Sequence, residues 1–130
     1  MRSLENLLII ADSEHDANML YAVGLFVPDP FIYLRLRGRN YMVMSDLEVD
    51  RARRQAPHCR VLSLSRIQDT LRAQGIRRPG LAAAAAYILR EKNIRQILVP
   101  DNFPLGLAHD LAKQKITVRV KPGGSFLPAK

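Results

Sequence analysis

Apolar and polar residues repeat with two different periods along this chain, and each period predicts one kind of element. Short apolar runs bounded by Gly, Pro or Asp predict buried strands. Stretches with apolar residues three or four positions apart, preceded by Ser or Asp, predict helices. The predicted strands cover 6–11, 31–36, 41–44, 60–64, 96–99 and 116–120, and the predicted helices cover 17–23, 47–55, 66–74, 81–92 and 104–113.

Small polar residues directly before the helices predict where each helix begins. Asp12, Ser13 and Asp16 are candidate N-caps of the first helix, because their side chains can accept hydrogen bonds from free backbone N–H groups. Asp46 and Ser65 are expected to cap the second and third helices in the same way.

The order of the elements predicts the fold class. Gly38 with Arg39 and Asn40 is expected to form a tight turn between two antiparallel strands. In the second half, strands and helices alternate, which favours parallel strands with helices on both faces of the sheet. The prediction is an α/β three-layer sandwich with a mixed sheet of about five or six strands.

The chain is cationic, with a formal net charge of +8, and this charge permits two interpretations. One is an ordinary basic surface, or a face that meets an acidic partner domain, and composition favours it. The other is a free-standing basic α/β module that binds nucleic acid or another acidic partner. That alternative requires six residues to share one face: Arg35, Arg37, Arg39, Arg51, Arg53 and Arg54.

Few residues offer catalytic or metal-binding chemistry. His15, His58 and His109 do not show the spacing of zinc ligands, so no metal site is expected in this chain. Cys59 follows His58, and a small enzyme using this pair is a second alternative, although a structural thiol is favoured. The serines at 45, 63 and 65 fit helix caps better than nucleophiles.

Cysteine usage and the N-terminus indicate the compartment. The single cysteine allows no disulfide within the chain, and no signal peptide or membrane-length apolar run is visible. A cytoplasmic protein is therefore expected.

The segment from Asp16 to Glu48 resembles the N-terminal domain of the creatinase, prolidase and aminopeptidase P family. That family has an Asn-x-x-Tyr-x-x-Gly helix, followed by a hairpin that closes on Ser-Asp-x-Glu. The matching residues here are Asn18, Tyr21, Gly24, Ser45, Asp46 and Glu48. Beyond this segment, the resemblance consists mainly of element order.

The resemblance implies a non-catalytic domain over residues 1–121 and a linker over 122–130 that leads towards a missing catalytic domain. That domain would bind two divalent ions (Mn, Co or Zn) and hydrolyse the peptide bond before proline, as Xaa-Pro aminopeptidases and dipeptidases do. The resemblance leaves open whether the parent is active or a catalytically dead relative. The present domain would support a homo-oligomer and control access to the active site, and it would be inactive alone.

The resemblance also implies a candidate site for contact across subunits. In creatinase-like relatives the hairpin reaches the active site of the neighbouring subunit, which brings Arg37, Arg39 and Tyr41 into consideration. An arginine there could bind a substrate carboxylate through two parallel hydrogen bonds. The alternative is that these are solvated turn residues.

Overall fold

The structure is a computed structural model that describes residues 5–122 and 125–127, and it contains a mixed six-stranded sheet covered by helices. The predicted α/β sandwich is confirmed. The strands are β1 Leu7–Ala11, β2 Phe31–Leu36, β3 Arg39–Met44, β4 Cys59–Ser63, β5 Gln96–Val99 and β6 Thr117–Val120. The helices are α1 Ala17–Val23, α2 Asp46–Gln55, α3 Leu64–Ala73, α4 Leu81–Glu91 and α5 Leu105–Lys113.

The strand order in the sheet is β4-β3-β2-β1-β5-β6. The pairs β1–β2 and β2–β3 are antiparallel, whereas β3–β4, β1–β5 and β5–β6 are parallel. Every strand except β2 therefore runs in the same direction. As a result, the strands other than β2 begin at the end of the sheet that carries the β2–β3 turn, which we call the hairpin end. They finish at the opposite end, which we call the carboxyl end.

Alternating side chains divide the core between the two faces of the sheet, as the period of a strand requires. Leu8 and Ile10 face one cluster, which includes buried residues of α3, α4 and α5. Leu7 and Ile9 face the other cluster, which includes buried residues of α1 and α2. The sheet is therefore the middle of three layers.

The alanine run of α4 lies against the sheet. Ala84, Ala85 and Ala86 are fully buried, and residues of α4 belong to the same core cluster as β2. Alanine combines the highest helix propensity with the smallest methyl-bearing side chain, so this segment forms a helix and also allows a close approach.

Three helices end in the same way. Gly75, Asn93 and Lys115 have φ values of 97°, 57° and 68°, and each is followed by an isoleucine. In α4 the N–H of Ile94 donates to the carbonyl of Leu89, which is the Schellman arrangement. This motif turns the chain sharply, and in α4 and α5 it returns the chain into β5 and β6 at the hairpin end.

The predicted helix caps are partly wrong. Asp16 caps α1, since its Oδ1 accepts a 2.9 Å hydrogen bond from the Met19 N–H. Asp46 is the first residue of α2, after Ser45 at the N-cap position. Ser63, and not Ser65, occupies the N-cap of α3. The errors arise because strand and helix meet without a loop here, so local sequence places the boundary one or two residues late.

The predicted turn of the hairpin is also displaced. The two turn residues are Arg37 and Gly38, with φ values of 50° and 82°, whereas Arg39 and Asn40 belong to β3. Two consecutive positive φ values are the signature of a type I′ turn, whose twist matches that of the flanking strands. Arg37 therefore lies in the turn itself, in a conformation that favours glycine.

Part of the predicted linker is packed. Phe126 and Leu127 are buried and belong to the core cluster on the α1 and α2 face. The Lys121 ammonium donates a 2.7 Å hydrogen bond to the Phe126 carbonyl and pairs with Glu5 at 2.9 Å. The expectation of an unpacked tail is thus wrong for these two residues. Residues 123, 124 and 128–130 of that segment lie outside the described residues.

No helix within the described residues has the length and apolar character needed to cross a membrane.

Candidate functional site

Arg37 is exposed but is held at both its backbone and its side chain. Its N–H donates to Asn6 Oδ1 at 2.9 Å, and its guanidinium Nη1 donates to the Lys92 carbonyl at 3.0 Å. The second bond satisfies a carbonyl at the end of α4, where helix carbonyls have no partner within the helix. Arg37 therefore joins the hairpin to α4 and does not extend freely into solvent.

The other two predicted site residues lie in β3. Arg39 is the first residue of the strand and is exposed, while Tyr41 is only 6% exposed and belongs to the core. The ammonium of Lys92 lies 4.7 Å from the centroid of the Tyr41 ring, a distance at which a cation is attracted to an aromatic face. Of the two, only Arg39 presents a charge to solvent.

The structure brings Arg37 and Tyr41 together through Lys92, a residue that no sequence motif indicates. Lys92 contacts the first through its carbonyl and the second through its ammonium. It is 55 positions from Arg37 in the chain. Local pattern gives no signal for a contact at that separation, because it depends on how α4 is laid across the sheet.

The hairpin end collects much of the positive charge of the chain. Because α2, α4 and α5 run opposite to the parallel strands, their last turns lie at this end and place Lys and Arg residues beside the hairpin. The chain has 20 Lys and Arg residues. The cationic residues at this end are Arg35, Arg37, Arg39, Arg53, Arg54, Arg60, Arg90, Lys92, Arg95, Lys113 and Lys115.

Arg51 does not belong to this surface, so the six-arginine face required for nucleic-acid binding is incomplete. Its Nη2 donates to the Phe26 carbonyl at 2.5 Å and lies 2.7 Å from Glu48 Oε2. The side chain thus fastens the loop after α1 to α2. The aromatic rings of Tyr33 and Tyr41, which lie in the hairpin strands with Arg35 and Arg39, are buried and give no surface for stacking bases.

The Ser-Asp motif at the start of α2 forms a hydrogen-bonded cluster with the end of β4. Asp46 accepts hydrogen bonds from Ser63 Oγ at 2.6 Å and Ser65 Oγ at 2.8 Å. These two bonds, first that of Ser63 and then that of Ser65, lower the pKa of the Asp46 carboxyl below its ordinary value. Both hydroxyl protons point to a carboxylate, so the serines act as structural donors here.

A cleft of about 560 Å³ adjoins this cluster along the outer edge of β4. Its floor is apolar and includes Val61, Ile67 and Ile88, whereas Asp50 and Arg66 are among the charged residues at its margin. In the sheet, β4 pairs only with β3 within the described residues. The cleft is therefore open, and its charges are of both signs.

Cys59 and His58 do not form a catalytic pair. The thiol of Cys59 is buried, and this burial raises its pKa to about 11, which suppresses the reactive thiolate at neutral pH. His58 Nε2 lies 2.8 Å from the Ala22 carbonyl, which can only accept, so the ring donates a proton there. The alternative of a thiol enzyme therefore finds no support in this geometry.

The other two histidines occupy separate places. His15 Nδ1 lies 2.9 Å from Asp12 Oδ2, and His109 is exposed on α5. Across residues 5–122 and 125–127, no three His, Cys, Asp or Glu side chains are grouped so that they could hold a metal ion. The described residues therefore offer no grouped ligands for the two divalent ions that the resemblance implies.

Within the Asn-x-x-Tyr-x-x-Gly motif, the glycine has a structural role at the end of α1. Gly24 ends α1 with φ of 74°, and its N–H donates to the Leu20 carbonyl. Tyr21 and Phe26 are 45% and 59% exposed, so neither side chain belongs to the core. Leu47, at 94%, is a third large apolar side chain exposed in the α1 and α2 layer.

No family model matches this chain, and no curated protein sequence matches it.

Comparison with solved structures identifies the class to which the fold corresponds, that of the Xaa-Pro aminopeptidases and prolidases. An X-Pro aminopeptidase from Thermotoga maritima superposes with a TM-score of 0.67 at 11% identity, over 90% of this chain and 30% of that one. A prolidase from Pyrococcus furiosus gives 0.63 at 11% identity, over 91% and 30%. An aminopeptidase P chain from Streptococcus thermophilus gives 0.62 at 10% identity, over 92% and 80%.

These comparisons confirm the predicted fold. The chain spans about 30% of the length of the Thermotoga and Pyrococcus furiosus proteins. It corresponds to one part of a larger protein in those cases and to most of the Streptococcus thermophilus chain. At such low identity the likeness concerns the fold, and roles of single residues do not follow from it.

Proposed function

We propose that this chain is the non-catalytic N-terminal domain of a Xaa-Pro peptidase-like protein, where it supports subunit contacts and restricts access to the active site. The observation that carries the proposal is the fold, which several Xaa-Pro aminopeptidase and prolidase structures share over about nine tenths of this chain. Catalysis would belong to a separate domain that holds the two divalent ions, Mn, Co or Zn.

The chemistry of the described residues agrees with an accessory role. Metallopeptidase catalysis requires carboxylates and a histidine that converge on metal ions. The carboxylates with the clearest partners serve local structure: Asp16 caps a helix, and Asp46 binds two serines. No observation on the structure favours the nucleic-acid alternative.

Enzyme assays on two proteins test the proposal. The 130-residue chain and the product of the complete natural reading frame are each assayed with Xaa-Pro dipeptides and longer Xaa-Pro peptides in Mn²⁺, Co²⁺ or Zn²⁺. We expect hydrolysis and bound metal only in the longer product. A reading frame that stops at Lys130, or hydrolysis by the 130-residue chain itself, would contradict the proposal.

A further inference from the structure

The positive charge of the hairpin end exceeds what the fold requires. Lys and Arg in the last turn of a helix are stabilised by the helix dipole, which accounts for Arg53, Arg90 and Lys113. It does not account for the cationic residues in strands and connections at the same end. These are Arg35, Arg37, Arg39, Arg60, Lys92, Arg95 and Lys115.

Most of these side chains are exposed. Arg39, Arg60, Arg95 and Lys115 all lie on the surface. Arg37, Lys92 and Arg90 differ in having defined partners. The Arg37 guanidinium donates to the Lys92 carbonyl, the Lys92 ammonium lies over the Tyr41 ring, and Arg90 Nη1 donates to Gln114 Oε1 at 3.0 Å. A guanidinium group fixed in this way has already lost much of its side-chain freedom, so it can accept a second partner at a smaller entropic cost.

Few carboxylates oppose this charge within the described residues. Glu91 and Asp110 lie on the last turns of α4 and α5. Asp69 is paired with Arg72 at 3.1 Å, and Glu5 is paired with Lys121 at 2.9 Å. Like charges gathered on one surface raise the electrostatic free energy of the free protein, and a partner of opposite charge relieves that repulsion.

We propose that the hairpin end is a docking surface for an acidic protein partner, whose Asp and Glu side chains pair with Arg39, Arg60, Arg95 and Lys115. Charge complementarity identifies the chemistry of the partner. Exposed guanidinium groups bind carboxylates through two parallel hydrogen bonds, and long-range attraction speeds the encounter of oppositely charged surfaces.

The arrangement of the surface favours an acidic protein over a nucleic acid. The cations lie on separate elements around the end of the sheet, on β2, β3, β4 and the connections before β5 and β6, and not along one helix or groove. Proteins that bind single strands interleave cations with exposed aromatic rings. At this end Tyr41 and Tyr33 are 6% and 2% exposed, so no base could stack on them.

This proposal does not depend on the peptidase assignment, because it uses only the charges and exposure of the chain itself. The occupant that the charges identify is a protein with an acidic surface, whatever the length of the polypeptide to which this chain belongs. A negative result in the peptidase assays would therefore not contradict the proposed docking surface.

Binding of a fluorescent decaglutamate peptide to the 130-residue chain tests the proposal by anisotropy. We expect binding at about 50 mM salt that weakens strongly by about 300 mM, because ions screen charges in solution. The double variant Arg39→Gln with Arg95→Gln should weaken binding about fivefold to tenfold, which corresponds to the loss of two exposed ion pairs.

The matched control removes the same charge elsewhere. Arg66 lies in the first turn of α3 and Arg119 in β6, and both are exposed. The double variant Arg66→Gln with Arg119→Gln should bind the peptide within about twofold of the parent, since distant exposed charges are largely screened. Circular dichroism of both double variants verifies that each remains folded.

Three outcomes would overturn the proposal. The first is an absence of decaglutamate binding at low salt. The second is equal weakening by both double variants, which would reduce the effect to net charge. The third is tighter binding of an oligodeoxythymidine than of decaglutamate, with the same sensitivity to Arg39→Gln and Arg95→Gln, which would identify the surface as a nucleic-acid site.

Discussion

The two ends of the sheet differ in how their charged side chains are engaged. At the carboxyl end, three aspartates accept hydrogen bonds from neighbouring groups of the protein and complete the local structure. At the hairpin end, most cationic side chains extend into solvent. The bound acidic residues are Asp12, which accepts from His15, Asp16, which accepts from Met19 and Asn102, and Asp46, which accepts from Ser63 and Ser65.

This difference shows which charges are available for another molecule. Disturbing a carboxylate that already accepts two hydrogen bonds costs folding free energy, because those donors lose their partner. An exposed guanidinium group costs the fold little when it changes partner. The exposed cations of the hairpin end are therefore the more available for contact with another molecule. The bound aspartates of the carboxyl end mainly stabilise the fold.

The largest effect is expected from Tyr41→Ala, which tests whether the hairpin end contains a buried structural residue. Removing this ring from the core should lower the free energy of unfolding by about 3 kcal/mol, as for other buried aromatic residues. The ring also lies under the Lys92 ammonium, so the variant loses that contact as well. Urea unfolding followed by circular dichroism measures the change.

Tyr41→Phe is the matched control, because it keeps the ring and removes only the hydroxyl group. It should cost less than about 1 kcal/mol, in line with the loss of one ordinary hydrogen bond at most. If Tyr41→Ala costs no more than Tyr41→Phe, the side chain is not part of the core. That result would again favour the expectation that Tyr41 contacts substrate.

A smaller effect is expected from Gly38→Ala, which tests the geometry of the hairpin turn. Gly38 has φ of 82°, where a methyl group is strained, and the cost should be about 1–2 kcal/mol. Gly106→Ala in α5 is the control. Nothing lies within 4 Å of the position its new methyl group would occupy, so this change should stabilise the helix by up to about 1 kcal/mol.

Thermal unfolding of both glycine variants gives the comparison. Equal midpoints for Gly38→Ala and the parent would show that the turn relaxes out of the left-handed conformation. In that case the position of Arg37 beside the end of α4 would not be fixed by the turn.

The order of elements could be predicted from the sequence because it depends on local patterns. The apolar run 31–36 predicted β2 with the correct bounds. The alanine run predicted α4, which ends within one residue of its predicted end. The turn was displaced because Arg37 occupies a left-handed position that sequence rules assign to glycine, asparagine or aspartate. Ser65 was mistaken for a cap because β4 runs into α3 without a loop.

The candidate surface was only partly predictable, because its charges come from separate parts of the chain. Arg37 and Arg39 could be predicted as candidate site residues because both lie in the hairpin segment of the sequence. Arg60, Arg95 and Lys115 did not, since only the shared direction of the parallel strands brings them to the hairpin end. The burial of Phe126 was not predicted for a similar reason. The local sequence around it, which contains Pro and Gly, does not indicate which core residues it will contact.

The smallest effect is expected at the carboxyl end, from the pH dependence of Asp46→Asn. Hydrogen bonds from Ser63 and Ser65 lower the pKa of this carboxyl in the folded state below its ordinary value of 3.8. The stabilisation is therefore present above 3.8 and is lost as the pH falls through the lower pKa of the folded protein. The asparagine variant lacks this contribution, so its urea midpoint should fall less between about pH 6 and pH 3 than that of the parent.

Asp50→Asn, which removes an exposed carboxylate from the same helix, is the charge-matched control. Parallel decreases in the parent and in Asp46→Asn would mean that the serine hydroxyls bind the neutral acid as well as the carboxylate, and the distinction between bound acids and exposed cations would then fail at this position.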